Sequence, residues 1–83
     1  MGKLEKILDL ILPGGSDQNI AFDDLTFLLE NLGFEKRIKG SHHVFSQDGI
    51  EEIINIQLAG SKAKPYQVKQ VRGVLVKYKL SGG

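Results

Sequence analysis

Hydrophobic residues recur at helical spacing in three parts of the chain. The first stripe covers residues 3–12, where apolar side chains return every three or four positions along one helix face. Pro13 and the glycines after it end this helix. A second stripe covers residues 22–32 and is followed by Gly33, a residue that readily takes the left-handed position after a helix. A third stripe begins at Pro65, which suits the first turn of a helix, and predicts a final helix.

Between the second and third stripes, the pattern changes to that of β-strands. Residues 34–39, 42–46 and 50–58 are predicted strands, because polar and apolar side chains alternate along much of their length. Gly40-Ser41 and Asp48-Gly49 are predicted turns between them. The order is helix, strand, strand, strand, helix, behind an additional N-terminal helix. This order predicts an α+β fold of α-β-β-β-α type, with a three-stranded antiparallel sheet and the helices on one face.

The length of the chain allows one small domain. With 83 residues, of which 41% are hydrophobic, the chain can bury one modest core. We expect residues 1–20 to form an N-terminal helix and a Gly-rich linker, residues 21–80 to form the domain, and residues 81–83 to form a flexible tail. The apolar stripe of the first helix is expected to pack on the domain rather than to contact another molecule.

Composition excludes several classes of protein. The chain has no cysteine, which excludes disulfides and thiolate metal sites and suits a reducing cytoplasm. The most apolar early stretch is interrupted by charges and falls far short of the ~20 apolar residues that a membrane span requires. The sequence therefore predicts a soluble cytoplasmic protein without membrane association.

Charge is unevenly distributed along the chain, although the net charge is only +1. Residues 1–52 contain ten acidic and five basic side chains, whereas residues 53–83 contain six basic side chains and no acidic one. Clustered Lys and Arg favour an anionic partner such as a phosphate backbone, because binding releases counterions. A solvated helix face explains the same division equally well.

The two histidines of the chain are adjacent, in the stretch GSHHVF. Successive side chains of a strand point to opposite faces. Phe45 is expected to face the helices, which sends His43 to the same side and leaves His42 on the open face with Val44 and Ser46. One histidine on each face supplies too few ligands for a metal site, so none is expected.

His42 has surroundings that suit phosphodiester chemistry, although an isolated exposed histidine is most often a plain surface residue. It follows a Gly-Ser turn and lies near a basic run and a strand-to-helix loop that carries two lysines. The basic side chains in question are Lys36, Arg37, Lys39, Lys62 and Lys64. Cleavage by the substrate's own 2′-hydroxyl needs a group that transfers protons and cations that stabilise the charged phosphorane, and it needs no metal.

The stretch LLENLGFEKRIKGSHHVF, together with KAKPYQVKQVRGVLVKY after the third strand, resembles the HicA (YcfA-like) toxins of bacterial type II toxin-antitoxin systems. The resemblance covers about residues 21–80. It implies a double-stranded-RNA-binding-domain-like fold and ribonuclease activity on messenger RNA, with His42 as the catalytic residue. It also implies a HicB-type antitoxin protein as the inhibiting partner. The N-terminal extension differs from the shortest family members, in which the first helix starts almost at the N-terminus.

The leading hypothesis is a metal-independent endoribonuclease, an mRNA interferase without a cofactor, that leaves 2′,3′-cyclic phosphate ends. Besides the catalytic His42, the residues expected to contact RNA are Lys36, Arg37, Lys39, Ser41, His43, Lys62, Lys64, Lys69 and Arg72. Of these, His43 is expected to be mainly structural, and Ser41 is expected to satisfy the turn backbone. The alternative is a non-catalytic RNA-binding module that uses the same face. Only the first hypothesis predicts that loss of the His42 imidazole abolishes cleavage without loss of binding.

Overall fold

The computed structural model describes residues 2–80, apart from the side chains of residues 58 and 59. The helices are α1 (Lys3–Ile11), α2 (Phe22–Asn31) and α3 (Pro65–Lys77), with a 3-10 turn at Asp17–Asn19. The strands are β1 (Glu35–Lys39), β2 (His42–Gln47), β3 (Ile50–Ala59) and β4 (Lys62–Ala63). The predicted α+β class and the order of the main elements are confirmed, and one short strand is added.

The strands form one antiparallel sheet in the order β1-β2-β3-β4. The prediction missed β4, which lies in the segment interpreted as a strand-to-helix loop. Lys62 pairs with Ala59 of β3 and bridges on its other side to Ala21, and the Ala63 N–H donates to the Ile20 carbonyl at 3.0 Å. A strand of two residues has no period, so only pairing with neighbours on both sides reveals it.

Local chemistry sets the ends of α2 and α3. Asp23 and Asp24 occupy the first turn of α2, where the helix dipole favours negative charge. Gly33, with a φ of 95°, takes the left-handed conformation just after this helix, which a side chain would strain. Pro65 occupies the first turn of α3, where its missing N–H costs no helical hydrogen bond.

The helices cover one face of the sheet and share one core with it. From the strands, the core receives Phe45, Ile54, Ile56 and Ala63. From α2 and α3, it receives Phe22, Leu25, Leu28, Leu29, Val68, Val71, Val74 and Leu75. The buried strand residues alternate with residues that are exposed or half-buried, so the second face of the sheet stays open to solvent.

α1 belongs to this core, which confirms the predicted packing of its apolar stripe. Ile7, Leu8 and Ile11 are buried there. The linker that follows is fixed by Arg72 of α3, whose guanidinium makes two bonds of 2.7 and 3.1 Å to the Asp17 carboxylate. Arg72 also donates to the Ile11 carbonyl at 3.2 Å. The N-terminal extension is therefore held by both apolar packing and an ion pair.

Two further sequence predictions concern the ends of the chain and the membrane. The predicted tail, residues 81–83, lies outside the described residues. Within residues 2–80, every helix is too short or too polar to cross a membrane.

Removing the Ile11 side chain should destabilise the whole domain, because this side chain has 0% exposure in the shared core. We expect Ile11→Ala to lower the free energy of unfolding by about 2–5 kcal/mol, measured by urea denaturation. Leu10→Ala is the matched control, since Leu10 lies on the same helix with 45% exposure, and it should change stability by less than about 0.5 kcal/mol. Equal effects of the two substitutions would show that α1 does not pack as described.

Two carboxylates on the helix side of the sheet have lowered pKa values. The hydrogen bond from Arg72 lowers the pKa of Asp17, against the opposing effect of burial. Hydrogen bonds from Tyr78, at 2.7 Å, and Lys77, at 2.9 Å, lower the pKa of Glu52. Both carboxylates are thus more acidic in the folded protein than in the unfolded chain.

Stability should therefore decline in acid. A carboxylate with a lowered folded pKa stabilises the fold fully above its unfolded pKa of about 4, and this contribution is lost as pH falls through the folded value. We expect the free energy of unfolding to decrease between about pH 5 and pH 2, measured by urea denaturation at several pH values. Asp17→Asn should be less stable than wild type at pH 7 and should lose less stability in acid. The same acid dependence in both proteins would contradict the role of Asp17.

Candidate functional site on the open sheet face

Strand register places the two histidines on opposite faces of the sheet, as the alternation predicts. His43 pairs with the buried Ile56, and its ring meets the Phe22 ring edge-on, with centroids 4.9 Å apart and an interplanar angle of 75°. Its Nδ1 atom is buried without a hydrogen-bond partner among the described groups. His43 therefore packs against the helix layer, which does not support the predicted contact with RNA.

His42 is exposed on the open face and lies in the middle of a row of polar side chains. It pairs with Lys39 of β1 on one side and with Gln57 of β3 on the other. Residues directly opposite each other in an antiparallel pair have side chains on the same face. Lys39, His42 and Gln57 therefore form a continuous line across three strands.

Lys64 extends this line beyond β3. Its Nζ donates to Gln57 Oε1 at 3.0 Å. Gln57 is also held through its backbone, because its N–H donates at 3.0 Å to Oε1 of the buried Gln67 of α3. Packing of α3 thus fixes one end of the line, which we call the open-face row and define as Lys39, His42, Gln57 and Lys64.

A second line lies beside the open-face row. Arg37, Val44 and Asn55 are paired across β1, β2 and β3 on the same face. Nδ1 of His42 is 3.1 Å from Oδ1 of Asn55, so this contact joins the two lines diagonally. Arg37 is exposed and adds a further cation to the surroundings of His42.

Two more predicted residues lie at the edges of the same face. Ser41 is exposed in the turn directly before His42. Lys62 alternates in β4 with the buried Ala63, which directs Lys62 toward the open face, and its Nζ donates to Asn19 Oδ1 at 3.2 Å. Both residues are therefore near the open-face row without being members of it.

Besides His43, three of the predicted RNA contacts do not lie on this face. Lys36 pairs with the buried Phe45, so it points to the helix side, where its Nζ is 2.7 Å from a carboxylate oxygen of Glu30. Arg72 is engaged by Asp17, as described above, and Lys69 is close enough to lower the pKa of the same carboxyl. The fold thus splits the basic residues into two groups, because neighbouring strand positions face opposite ways and α3 lies behind the sheet.

The salt bridges show how this division affects charge. Those found within residues 2–80 join Lys3 to Asp24, Lys36 to Glu30, Arg72 to Asp17 and Lys77 to Glu52. Across the same residues, none of them includes a cation of the open face. Behind the sheet, Lys36, Arg72 and Lys77 are paired with carboxylates, whereas within residues 2–80 no such pair is found for the open-face cations Arg37, Lys39, Lys62 and Lys64.

Two residues of the site, Asn55 and Gln57, are missing from the sequence-based set. Asn55 lies between the buried Ile54 and Ile56, and Gln57 follows Ile56, so the alternation along β3 places both amides on the open face. Sequence reasoning had no register for β2 against β3, so it did not bring them to His42. Within the described chain, no group of three or more His, Asp or Glu side chains is arranged as metal ligands.

Chemically, the site combines one exposed imidazole, two amide side chains and several cations on a flat surface. An imidazole transfers protons near neutral pH, and lysine and arginine attract phosphate oxygens. No protein-family model, no curated protein and no solved structure matches this chain. Its function is therefore inferred from its own residues.

Proposed function

We propose that this protein is a HicA-type toxin, a metal-independent endoribonuclease that cleaves messenger RNA on its open sheet face. The observation that carries this proposal is the position of His42 on an exposed face among cations that have no carboxylate partner within residues 2–80. The sequence resemblance over about residues 21–80 supports the same activity. With it we propose the double-stranded-RNA-binding-domain-like form of the α+β fold.

The open-face row suits a phosphate group at its centre. Side chains directly opposite each other on paired strands have Cβ atoms about 5 Å apart, so the flexible Lys39 side chain reaches a phosphate that contacts His42. On the other side, Lys64 is held by Gln57, which is itself opposite His42. A phosphate at His42 thus has a cation available on each side. Contacts of this kind give affinity for the RNA backbone with little sequence preference.

The proposed reaction uses the 2′-hydroxyl of the RNA as the nucleophile. The 2′-oxygen forms a bond to the adjacent phosphorus, and the bond from phosphorus to the 5′-oxygen of the next nucleotide breaks. His42 transfers a proton during this step, while Lys39 and Lys64 stabilise the negative charge of the phosphorane. The products are a 2′,3′-cyclic phosphate and a 5′-hydroxyl, and no cofactor takes part.

A basic face of this kind requires an acidic partner surface for efficient inhibition. Complementary charge gives fast association that weakens as salt is added. We therefore propose that a HicB-type antitoxin covers the open-face row and occludes His42.

One observation favours a second function, a non-catalytic RNA-binding module. Within the described residues, the open-face row contains a single imidazole and no carboxylate, so a second protein group for proton transfer is not evident there. The two functions share the binding face and differ only in chemistry at His42.

The substitution His42→Ala should separate the two functions. We expect wild-type protein, incubated with end-labelled messenger RNA in excess EDTA, to yield fragments that end in 2′,3′-cyclic phosphate. The variant should lose at least about 100-fold of this activity, because proton transfer by a positioned side chain contributes roughly that much. Its affinity for RNA should stay nearly unchanged.

Three results of this assay would contradict the nuclease proposal or the role of His42. Identical cutting by both proteins would point to a contaminant or to another residue. Wild-type protein that cuts no RNA in EDTA but cuts it when EDTA is replaced by Mg²⁺ would show a metal-dependent reaction. Binding by both proteins without any cutting would establish the RNA-binding module instead.

Removing single cations should distinguish the open face from the rest of the surface. We expect Lys39→Ala and Lys64→Ala each to weaken RNA binding and to reduce the slope of log affinity against log salt by about 0.7, the value for one phosphate contact on a single strand. Fluorescence anisotropy across a potassium chloride series measures both quantities. Lys6→Ala removes the same charge from α1, in the helix layer, and should leave the slope unchanged. An equal effect of Lys6→Ala would show that binding depends on net charge alone.

A further inference from the structure

In the hydrogen bond between His42 and Asn55, the donor and the acceptor can be assigned. Nδ1 of His42 is 3.1 Å from Oδ1 of Asn55. An amide oxygen only accepts hydrogen bonds, so the imidazole nitrogen facing it carries the proton. We propose that Asn55 is a positioning residue that holds neutral His42 in the tautomer protonated at Nδ1, which makes Nε2 the atom that receives the substrate proton. The part concerning the substrate proton rests on the proposed function above.

The backbone of Asn55 is held firmly in the sheet, so its side chain can orient the His42 ring. β3 is an interior strand, paired with β2 on one side and β4 on the other. The neighbours of Asn55 along the strand, Ile54 and Ile56, both have 0% exposure in the core. Asn55 pairs directly with Val44, which is two residues from His42. Asn55 and His42 are therefore diagonal neighbours, and the distance of about 7–8 Å between such positions lies within reach of longer side chains.

The other amide beside His42 is already occupied. Gln57 lies directly opposite His42, but its Oε1 accepts a hydrogen bond from Lys64 at 3.0 Å. Asn55 is consequently the acceptor available to the His42 ring. This division assigns the two amides different tasks: Gln57 holds a cation and Asn55 holds the imidazole.

An amide suits this position better than a carboxylate does. A carboxylate also fixes the Nδ1–H tautomer of histidine, but it adds a negative charge next to the place where a phosphate would bind. The neutral Asn55 orients the ring and leaves the positive potential of Arg37, Lys39 and Lys64 undiminished. The row therefore retains its electrostatic preference for phosphate.

The assignment gives His42 a definite role. Nδ1–H is donated to Asn55, and the lone pair of Nε2 accepts the proton of the 2′-hydroxyl as the 2′-oxygen bonds to phosphorus. The bond from phosphorus to the 5′-oxygen breaks, and that oxygen takes a proton from water. The imidazolium keeps its bond to Asn55 and then releases the Nε2 proton to solvent. His42 is thus the general base. Asn55 holds the His42 ring in the same orientation whether the ring is neutral or protonated.

Nitrogen NMR of the histidine rings tests the positioning directly and needs no enzymatic activity. In protein labelled with ¹⁵N-histidine, at a pH where the His42 ring is neutral, we expect Nδ1 to give the signal of a protonated nitrogen and Nε2 that of an unprotonated one. Asn55→Ala should shift the ring toward the Nε2–H tautomer. Asn55→Asp retains an acceptor and should preserve the Nδ1–H form. Ile53→Ala, on the same strand and face, should leave the His42 signals unchanged.

Two NMR results would overturn the inference. A wild-type ring protonated at Nε2 would mean that the Asn55 amide is turned and donates to Nδ1. An unchanged tautomer in Asn55→Ala would mean that the contact does not hold the ring.

The cleavage assay adds a second arm that separates this inference from the proposed function. We expect Asn55→Ala to lower kcat by about 10- to 100-fold, as misaligned catalytic groups do, with little change in KM. Wild-type protein that shows the expected tautomer but cuts no RNA would overturn the nuclease proposal and leave the positioning by Asn55 supported. Wild-type protein that cuts RNA with His42 protonated at Nε2 would overturn the positioning and leave the nuclease proposal supported.

Discussion

Burial of Phe45 in the middle of β2 is the constraint on which the site depends. This side chain has 0% exposure and lies between the helices and the sheet. Because side chains alternate along a strand, fixing Phe45 inward also fixes His43 inward and His42 outward. A shift of one residue in the register would exchange the two histidines and would bury the imidazole that now faces solvent. The apolar core thus determines which histidine is available for chemistry.

The same packing sorts the charges of the chain. Acidic and basic residues are separated along the sequence, yet in the fold they pair behind the sheet: Arg72 with Asp17, and Lys77 with Glu52. These pairs join the basic C-terminal part of the chain to the acidic N-terminal part, so the charge division of the sequence is partly cancelled there. On the open sheet face, four cations (Arg37, Lys39, Lys62 and Lys64) outnumber the two carboxylates that strand alternation places there, Glu35 and Glu51. A local excess of cations therefore arises even though the net charge is only +1.

The site that results is small and built from few chemical parts. A single imidazole is exposed, an amide contacts it from an interior strand, and a second amide holds a lysine beside it. In the proposed nuclease, proton transfer, orientation and charge stabilisation are performed by different side chains of the sheet. They replace the metal ions and paired acids that other phosphodiester-cleaving sites use. In the alternative proposal, the same surface binds RNA without proton transfer at His42.

The secondary structure and the orientation of the two histidines can be predicted from the sequence alone. Apolar periodicity predicted the three helices and the three main strands, Pro13 and Gly33 marked helix ends, and the alternation around Phe45 predicted the opposite orientations of His42 and His43. These features are local, because each depends on residues a few positions apart.

The remaining features were decided by contacts between distant parts of the chain. β4 exists only through pairing with neighbours on both sides. Asn55 contacts His42, which is 13 positions away in the sequence. Asp17 forms an ion pair with Arg72, which is 55 positions away, so Arg72 is not available to bind an anion. Such contacts depend on the register of the strands and on the packing of α3 against the sheet. Periodicity within one segment contains no information about either, so the composition of the site required the tertiary structure.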